Sequence, residues 1–432
     1  MTLTPSKPRL FPRLDQFRLN LLYFVALSVS LGTAVSALGR LLLCVSALVY
    51  LVSGPYKRRN VIETKHATGL TWIVLLAVGY TAVTALWSSV GLVEGISVWT
   101  RHARVLSIPL MVCMIASAHE ARMVLRVFIW GQVFVVISSW LLAMGLPVPW
   151  ATGAWQGSNA VFSSYLEQCI TQAVLVALLW FQRDDIFGPR GRWLAVLTAF
   201  LTALLTVGLM PGRTGHLVLL GMLTLMGAHH LPKKYLWAAF AIPVLAFVLL
   251  QQTSSTFRDR MALVVKEVTA SLHGNSQDES SSGMRLAYWR ASTQAITEKP
   301  LLGHGAGSWN NEYKRLRGTL ISGQANPVSD PHQMFLLWAV EGGLLGLALL
   351  VMVLAALWRF SDALDANERQ SMRALIAALV IAGLFNSVLF GIGIGDFFCI
   401  GLGIMVSFSR PSNLGQGATN RADQAPSPAS TV

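Results

Sequence analysis

Charged residues are scarce in this chain. Asp, Glu, Lys and Arg make up 12% of its 432 residues, against roughly 25% in a soluble domain. That shortage excludes an ordinary water-soluble fold for most of the sequence. Cysteine is also rare: Cys44, Cys113, Cys169 and Cys399 all fall in apolar runs, without metal-ligand spacing, which excludes a disulfide scaffold or a zinc site and leaves small core residues. No Asp-x-Asp and no His/Asp cluster offers ligands for a divalent metal. The glycine-rich stretch Gly303-His304-Gly305-Ala306-Gly307 has the spacing G-x-G-x-G and follows no strand, so a dinucleotide fingerprint is excluded. No cleavable leader is apparent behind the basic start Lys7, Arg9, Arg13, Arg18. No internal repeat suggests an inverted-repeat transporter.

What is present is apolar sequence in long blocks. The chain is 54% hydrophobic, with a mean hydropathy of +0.55. Uninterrupted runs of about 17–25 residues predict a polytopic membrane protein, and runs without alternation predict helices. Twelve spans are expected, near 19–36, 38–53, 67–87, 102–118, 127–146, 161–181, 193–210, 215–229, 235–251, 332–358, 373–390 and 393–409. The chain divides into 1–250 with about nine spans, a polar loop 251–331, a C-terminal group 332–409 with about three, and a tail 410–432. That tail is too poor in apolar residues to offset ordering entropy.

Net charge is +13, but its placement points to membrane topology rather than to nucleic acid. Of the 33 Lys and Arg, 20 fall in segments on one side of the predicted membrane and nine in the long loop. Only Arg40, Arg101, Arg104 and Arg213 remain for the opposite short loops. Short loops set orientation, so both termini are expected in the cytoplasm and 251–331 outside.

Several outer residues need a reason to be there. Arg213 stands in Pro211-Gly212-Arg213-Thr214-Gly215, a tight turn whose glycines would let backbone approach a ligand. Arg101 and Arg104, three apart, share a helix face. Each could snorkel to lipid phosphates or form part of an anion site. In the long loop an amphipathic stretch, Phe257–His273, precedes a Ser/Gly/Asn linker. A short helix is then predicted, with Leu286, Trp289 and Ile296, and Ala287 and Ala291, on one face. Its Arg285 and Arg290 offer donor forks suited to phosphate, or surface ion pairs. His304 reads as part of a structural turn. Asp330 is a suitable N-cap, Pro331 suits the first helical position, and His332 would open the next span. The helix dipole would hold its imidazole neutral, as a general base requires; a capping role is the alternative. Glu341 lies half a turn off the face of His332. Glu167 and Asp396 are ionisable groups in apolar surroundings and so functional candidates, or partners of a buried cation such as Arg40 or Arg101.

Three motifs stand in order: Gly212-Arg213-Thr214-Gly215 between spans; Arg285-x-x-x-Trp289 followed by Pro300-Leu-Leu-Gly-His-Gly-x-Gly; and Pro331-His332-Gln333 with Glu341-Gly342-Gly343-Leu344-Leu345-Gly346 downstream. Together they resemble the O-antigen ligase and polymerase superfamily, most closely the O-antigen ligases. The motifs run from about 190 to 350. The family's His-Asn is His332-Gln333 here. The resemblance implies an all-α GT-C-like membrane glycosyltransferase, metal-independent and inverting. It would move a glycan from undecaprenyl pyrophosphate to the lipid A core at the outer face of a bacterial inner membrane. His332 would be the base, with Arg213 and Arg285 holding the pyrophosphate. Arg290, Arg101, Arg104 and Trp289 would assist in substrate binding, and Trp309 and Tyr313 could stack on sugars or pack the loop. No cofactor is implied. An O-antigen polymerase and a protein O-oligosaccharyltransferase share this chemistry; a lipid or glycan transporter is the reading from another class.

Overall fold

The structure, a computed structural model, describes residues 12–52, 65–151, 157–235, 281–320 and 329–409, with isolated positions between 239 and 269. Most of the expected span 235–251 and of the stretch Phe257–His273, its linker, and the tail 410–432 lie outside the described residues.

Among the described residues the chain is helical, with no strand. The helices are α1 (Pro12–Ser28), α2 (Thr33–Val52), α3 (Lys65–Thr84), α4 (Leu92–His102), α5 (Ser107–Met114), α6 (Ala118–Ala143) and α7 (Tyr165–Phe181). They continue as α8 (Gly188–Gly208), α9 (Arg213–His230), α10 (Ser281–Glu298), α11 (Trp309–Leu320), α12 (Met334–Ser361), α13 (Ala366–Gly383) and α14 (Ile392–Val406). Six stretches among them are long and apolar enough to cross a membrane: Thr33–Val52, Ala67–Trp87, Ala118–Ala143, Gly188–Gly208, Met334–Ser361 and Ile392–Ser409. Tyr165–Phe181 is a shorter apolar helix. This is a multi-pass membrane protein, with six such stretches among the described residues.

The expected span at 102–118 is not a single helix. A 3-10 turn, Ala103–Leu106, separates α4 from α5. The eight residues of α5 reach only about 12 Å at ~1.5 Å per residue. So short a piece is viable because protein surrounds it: Ile108, Met111 and Met114 are all buried.

Burial sorts the bundle into centre and rim. On α14 every residue from Ile394 to Val406 is buried, and α7 is enclosed nearly throughout. On α2 the pattern is inverted relative to a soluble helix. Its inner stripe is Ser36, Gly39, Leu43 and Ala47, while Leu38, Leu41, Val45, Leu48 and Val52 are exposed. Small residues let helices approach in lipid, and bulky ones face the acyl chains. A Cβ at Gly39 would stand 2.2 Å from Ser28 Oγ, so only glycine fits that crossing.

Polar contacts define the two ends of the bundle. At one end Arg18 pairs with Glu120 at 2.8 Å, Arg122 reaches Glu368 at 3.4 Å, Gln182 bonds Ser371 at 3.0 Å, and Trp180 Nε1 bonds His230 at 3.0 Å. At the other end Arg104 meets Asp396 and the 389–391 carbonyls, Asn386 meets Thr214, and Ser88 meets the 303–307 turn. Every candidate residue described below belongs to this second end.

Candidate functional site

The frame of the site is a break in α12. Gly343 has φ +65° inside the helix, a left-handed conformation that other residues adopt only with strain. The break frees carbonyls above it and N–H groups below it, which cannot stay unpaired when buried. The turn 300–305 supplies the partners. His304 N donates to Val340 O at 2.8 Å and Gly305 N to Glu341 O at 2.9 Å. Leu344 N donates to Pro300 O at 2.7 Å and Leu345 N to Leu301 O at 3.4 Å. The fit needs glycine on both sides. A Cβ on Gly303 would stand 2.5 Å from Gly343 N, and one on Gly343 2.1 Å from Leu301 O. The two glycine motifs are thus the halves of one splice. Leu344–Ser361 remains as the crossing portion, roughly 27 Å long at ~1.5 Å per residue. Met334–Gly342 becomes a separate half-helix with His332 just ahead of it.

His332 sits otherwise than expected. The N-cap is Gln333, whose side chain accepts from Leu336 N at 2.5 Å; Asp330 does not cap the helix. His332 therefore lies outside the helix, in a left-handed turn at φ 51°. Asp330 makes that turn possible, since its Oδ1 accepts the His332 backbone N–H at 2.9 Å, the Asx-turn pattern. The same oxygen lies 3.5 Å from His332 Nδ1, and the imidazole is 44% exposed. One ring nitrogen thus faces a carboxylate. Tyr288 flanks the ring, with centroids 5.9 Å apart.

Tyr288 belongs to α10, which runs from 281 to 298 and so is longer than expected. Its buried stripe is Ala287, Tyr288, Ala291, Ser292 and Ala295. Leu286, Trp289 and Ile296 are only half-buried at its edges, because small residues set the closest approach. Trp309 Nε1 donates to Ser292 Oγ at 2.9 Å and stacks on Tyr313 with centroids 5.2 Å apart. Trp309 and Tyr313 are 1% and 2% exposed, so they pack the α10–α11 layer and present no sugar platform. Trp289 packs against the same layer. Arg285 stands three residues before Tyr288, half-buried, and Arg290 is exposed.

Arg101 and Arg104 part company. Arg104 is 3% exposed. Its Nε lies 3.3 Å from Asp396, and its Nη1 donates to the carbonyls of Leu389, Phe390 and Gly391 at 3.2, 2.9 and 2.5 Å. It pins the loop before α14 and has no free face for a substrate. Asp396 also holds Arg40 at 2.9 Å and Ser36 at 2.9 Å, so it is the partner of a buried cation. Arg101 instead lies half-buried over the Phe390 ring, 4.5 Å from the centroid. Between them is a residue that sequence reasoning missed. His102 Nε2 meets Glu341 Oε2 at 2.6 Å, both groups buried, and Glu341 Oε1 accepts Gly307 N at 3.0 Å. Glu341 therefore ties α4 and the glycine turn to the half-helix. A carboxylate inside an apolar run signalled a partner; which one could not be read without the fold.

Arg213 is the first residue of α9. The glycines beside it serve packing rather than ligand approach: Cβ atoms at Gly212 and Gly215 would stand 2.7 and 2.6 Å from Cys169 Cβ. Thr214 accepts from Asn386 at 3.1 Å, and the same loop ends in Phe390 beneath Arg101. One short segment, 386–391, therefore links the neighbour of Arg213 to Arg101 and to the aromatic layer around Tyr288.

The sequence model of the O-antigen ligase family matches residues 198–351, from within α8 to past the α12 break. Through this region the chain is similar to the O-antigen ligase family. It is also similar to an uncharacterized protein of Haemophilus influenzae, 22% identical over 214 residues. That alignment covers 49% of this chain and 53% of the relative, so the chain spans about half the length of the protein it matches.

The family region contains Arg213, Arg285, the glycine splice and His332, whereas Arg101, Arg104, Asp396 and Glu167 lie outside it. One trio of described residues could hold a metal ion: Glu298, His304 and Glu312, with ligand atoms within 4.8 Å of one another. Arg315 already bonds both carboxylates, and His304 Nε2 bonds Ala295 O at 2.9 Å. His304 is structural, as expected, although it does have an acidic neighbour in Glu312, 3.3 Å away.

Proposed function

We propose that this membrane protein transfers a glycan from a polyprenyl pyrophosphate, undecaprenyl pyrophosphate in bacteria, to a hydroxyl of the lipid A core at the periplasmic face of the inner membrane. Similarity to the family indicates chemistry of the O-antigen ligase or polymerase type; the ligase reaction is our reading. What carries it is the placement of a half-exposed imidazole, backed by Asp330, at the bundle end that also bears Arg213, Arg285 and Arg101.

In this scheme His332 Nε2 takes the proton of the acceptor hydroxyl as its oxygen attacks the anomeric carbon. The bond from that carbon to the pyrophosphate oxygen breaks, with inversion. The electron pair leaves with the lipid pyrophosphate, whose charge Arg213 and Arg285 stabilise. Arg101 adds positive potential nearby, Arg290 reaches the glycan from the exposed side of α10, and Trp289 lines that side. Arg104 is not assigned to substrate, because its donors are committed internally. Asp330 on Nδ1 stabilises the imidazolium that forms. No residue set beyond these is required for the step, and no cofactor takes part.

Purified protein, a lipid-linked glycan and lipid A core decide the reading. Glycosylated lipid A core is the expected product. Elongated lipid-linked glycan would make the enzyme a polymerase, and a glycosylated protein an oligosaccharyltransferase.

A further inference from the structure

The turn that fills the α12 break carries two leucines at its tip, and neither is covered. Leu301 is 64% and Leu302 50% exposed. Leu344 and Leu345, the first residues below the break, are exposed as well. Backbone bonds bring the two pairs together, from Leu344 N to Pro300 O and from Leu345 N to Leu301 O. These leucines form one apolar patch, and such a patch marks an interaction surface.

The depth of the patch follows from the crossing portion of α12. Its outward stripe is Leu344, Ala348, Val351, Ala355 and Trp358, all exposed and spaced by three or four residues, as a lipid-facing helix requires. Trp358 lies under the Arg373 guanidinium at 5.0 Å, and Arg373 pairs with Asp362. An aromatic ring among charges marks the far membrane interface. From Leu344 the helix covers roughly 22 Å to Trp358 and roughly 27 Å to Ser361, against a hydrocarbon core of about 30 Å. The break therefore lies roughly 3–8 Å inside the hydrocarbon.

Helix α3 sets the same level independently. With the 3-10 turn Ala85–Trp87 it forms the apolar stretch Ala67–Trp87, 21 residues long, which spans the core by itself at roughly 31 Å. Tyr80 Oη donates to Gly342 O at 2.7 Å, so Tyr80 stands level with the break. Residues 80–87 then continue past it by roughly 10 Å, with Val83 and Leu86 exposed. Irregular backbone at such depth needs its polar groups paired. Here the Pro300 and Leu301 carbonyls accept from α12, and His304 N and Gly305 N donate to Val340 O and Glu341 O. Lys299, exposed just before the tip, has a stem long enough to carry its charge to the surface.

We propose that the 300–302 tip is inserted into the leaflet on the site's side of the membrane, where Leu301 and Leu302 contact phospholipid acyl chains. The tip thereby anchors the α10–α11 layer, with Tyr288 beside His332, in the bilayer. This anchoring rests on span lengths and backbone bonds and is independent of the transfer reaction.

Photocrosslinking tests the insertion. p-Benzoylphenylalanine replaces Leu301 or Leu302 in the full chain, reconstituted in liposomes of phosphatidylethanolamine and phosphatidylglycerol. These liposomes hold no polyprenyl lipid, so any lipid adduct comes from the bilayer itself. Ala348, on the lipid stripe, is the reference for acyl contact, and Thr293, on the exposed side of α10, is the reference for water. After irradiation, mass spectrometry should show a shift of one phospholipid at Leu301 and Leu302, as at Ala348, and none at Thr293. Both leucines are exposed, so the larger side chain has room, and melting near the wild-type temperature checks this. The two positions are read separately, so a folding defect at one leaves the other decisive. Two chains joined to each other would show that a second copy covers the tip, and a link within one chain that another segment does. No adduct at either leucine while Ala348 gives one would show that the tip stands in water. Each of these three results overturns the proposal.

Discussion

Gly343→Ala tests the splice between α12 and the glycine turn. The added methyl would sit 2.1 Å from Leu301 O and 2.3 Å from Leu301 C, and both are backbone atoms that cannot rotate away. The turn must therefore withdraw or α12 must straighten. Gly343 stands at φ +65°, ψ −166°, a region essentially confined to glycine, so an alanine held there costs about 1–3 kcal/mol. Withdrawal also breaks the four backbone bonds between 300–305 and 340–345, each contributing ~0.5–1.5 kcal/mol. The expected loss is roughly 3 kcal/mol or more, at or beyond the upper end of the usual range for single substitutions. Gly69→Ala in α3 is the control. Nothing lies within 4 Å of a Cβ there, and alanine favours a helix by about 1 kcal/mol. Thermal unfolding of both variants in the same detergent measures the difference. A Gly343→Ala protein that melts with wild type would refute the claim that the turn is built into the helix.

Further outcomes can be measured on the same preparation. Glu341→Gln should lower thermal stability and reduce transfer, because it weakens the buried contact to His102 while keeping the acceptor for Gly307 N; His102→Ala should do the same, and the double variant should lose less than the sum. Asp396→Asn should destabilise, since it leaves the buried Arg104 without its carboxylate, and Arg104→Met should destabilise less, since Asp396 keeps Arg40 and Ser36; Arg101→Met should leave melting near wild type and affect transfer only. Arg213→Ala and Arg285→Ala should lower transfer by about 10²–10³ if they stabilise departing charge, and lysine should restore little because it lacks the planar fork. The bond from Arg315 holds the Glu298 carboxyl below its ordinary value of 4.5, so the clasp between α10 and α11 is present at neutral pH and lost as pH falls through that depressed value. Glu298→Gln should remove this acid step from the melting profile, a small effect because the pair is exposed.

Much of the architecture was legible because lipid imposes simple patterns. Runs such as Leu194–Leu209 could be nothing but helix, and the exposed stripe of α2 follows from its small inner residues. The break between α4 and α5 was not legible, because Arg101–Leu106 reads as the mouth of a continuous apolar run. The partners that make a short piece viable are distant in sequence. The break at Gly343 was hidden for the same reason: Glu341-Gly342-Gly343 inside an apolar run does not show that the turn 300–305 fills the gap. Arg213 and His332 stand out as candidates because each is a polar residue at an expected span boundary, and Arg285 because it lies in the short helix of the long loop with a donor fork suited to phosphate. The separate roles of Arg101 and Arg104 could not, since three residues of spacing say nothing about Asp396 or Phe390. Local sequence suits Asp330 to the helix cap, but Gln333 holds that position and the Asp330 carboxylate turns to His332 instead.

The decisive measurement is transfer by His332→Ala in proteoliposomes supplied with lipid-linked glycan and lipid A core, with donor binding followed in parallel. Glycan transfer should vanish while the donor still binds and the protein still melts near the wild-type temperature. Transfer at the wild-type rate by that variant would contradict the account.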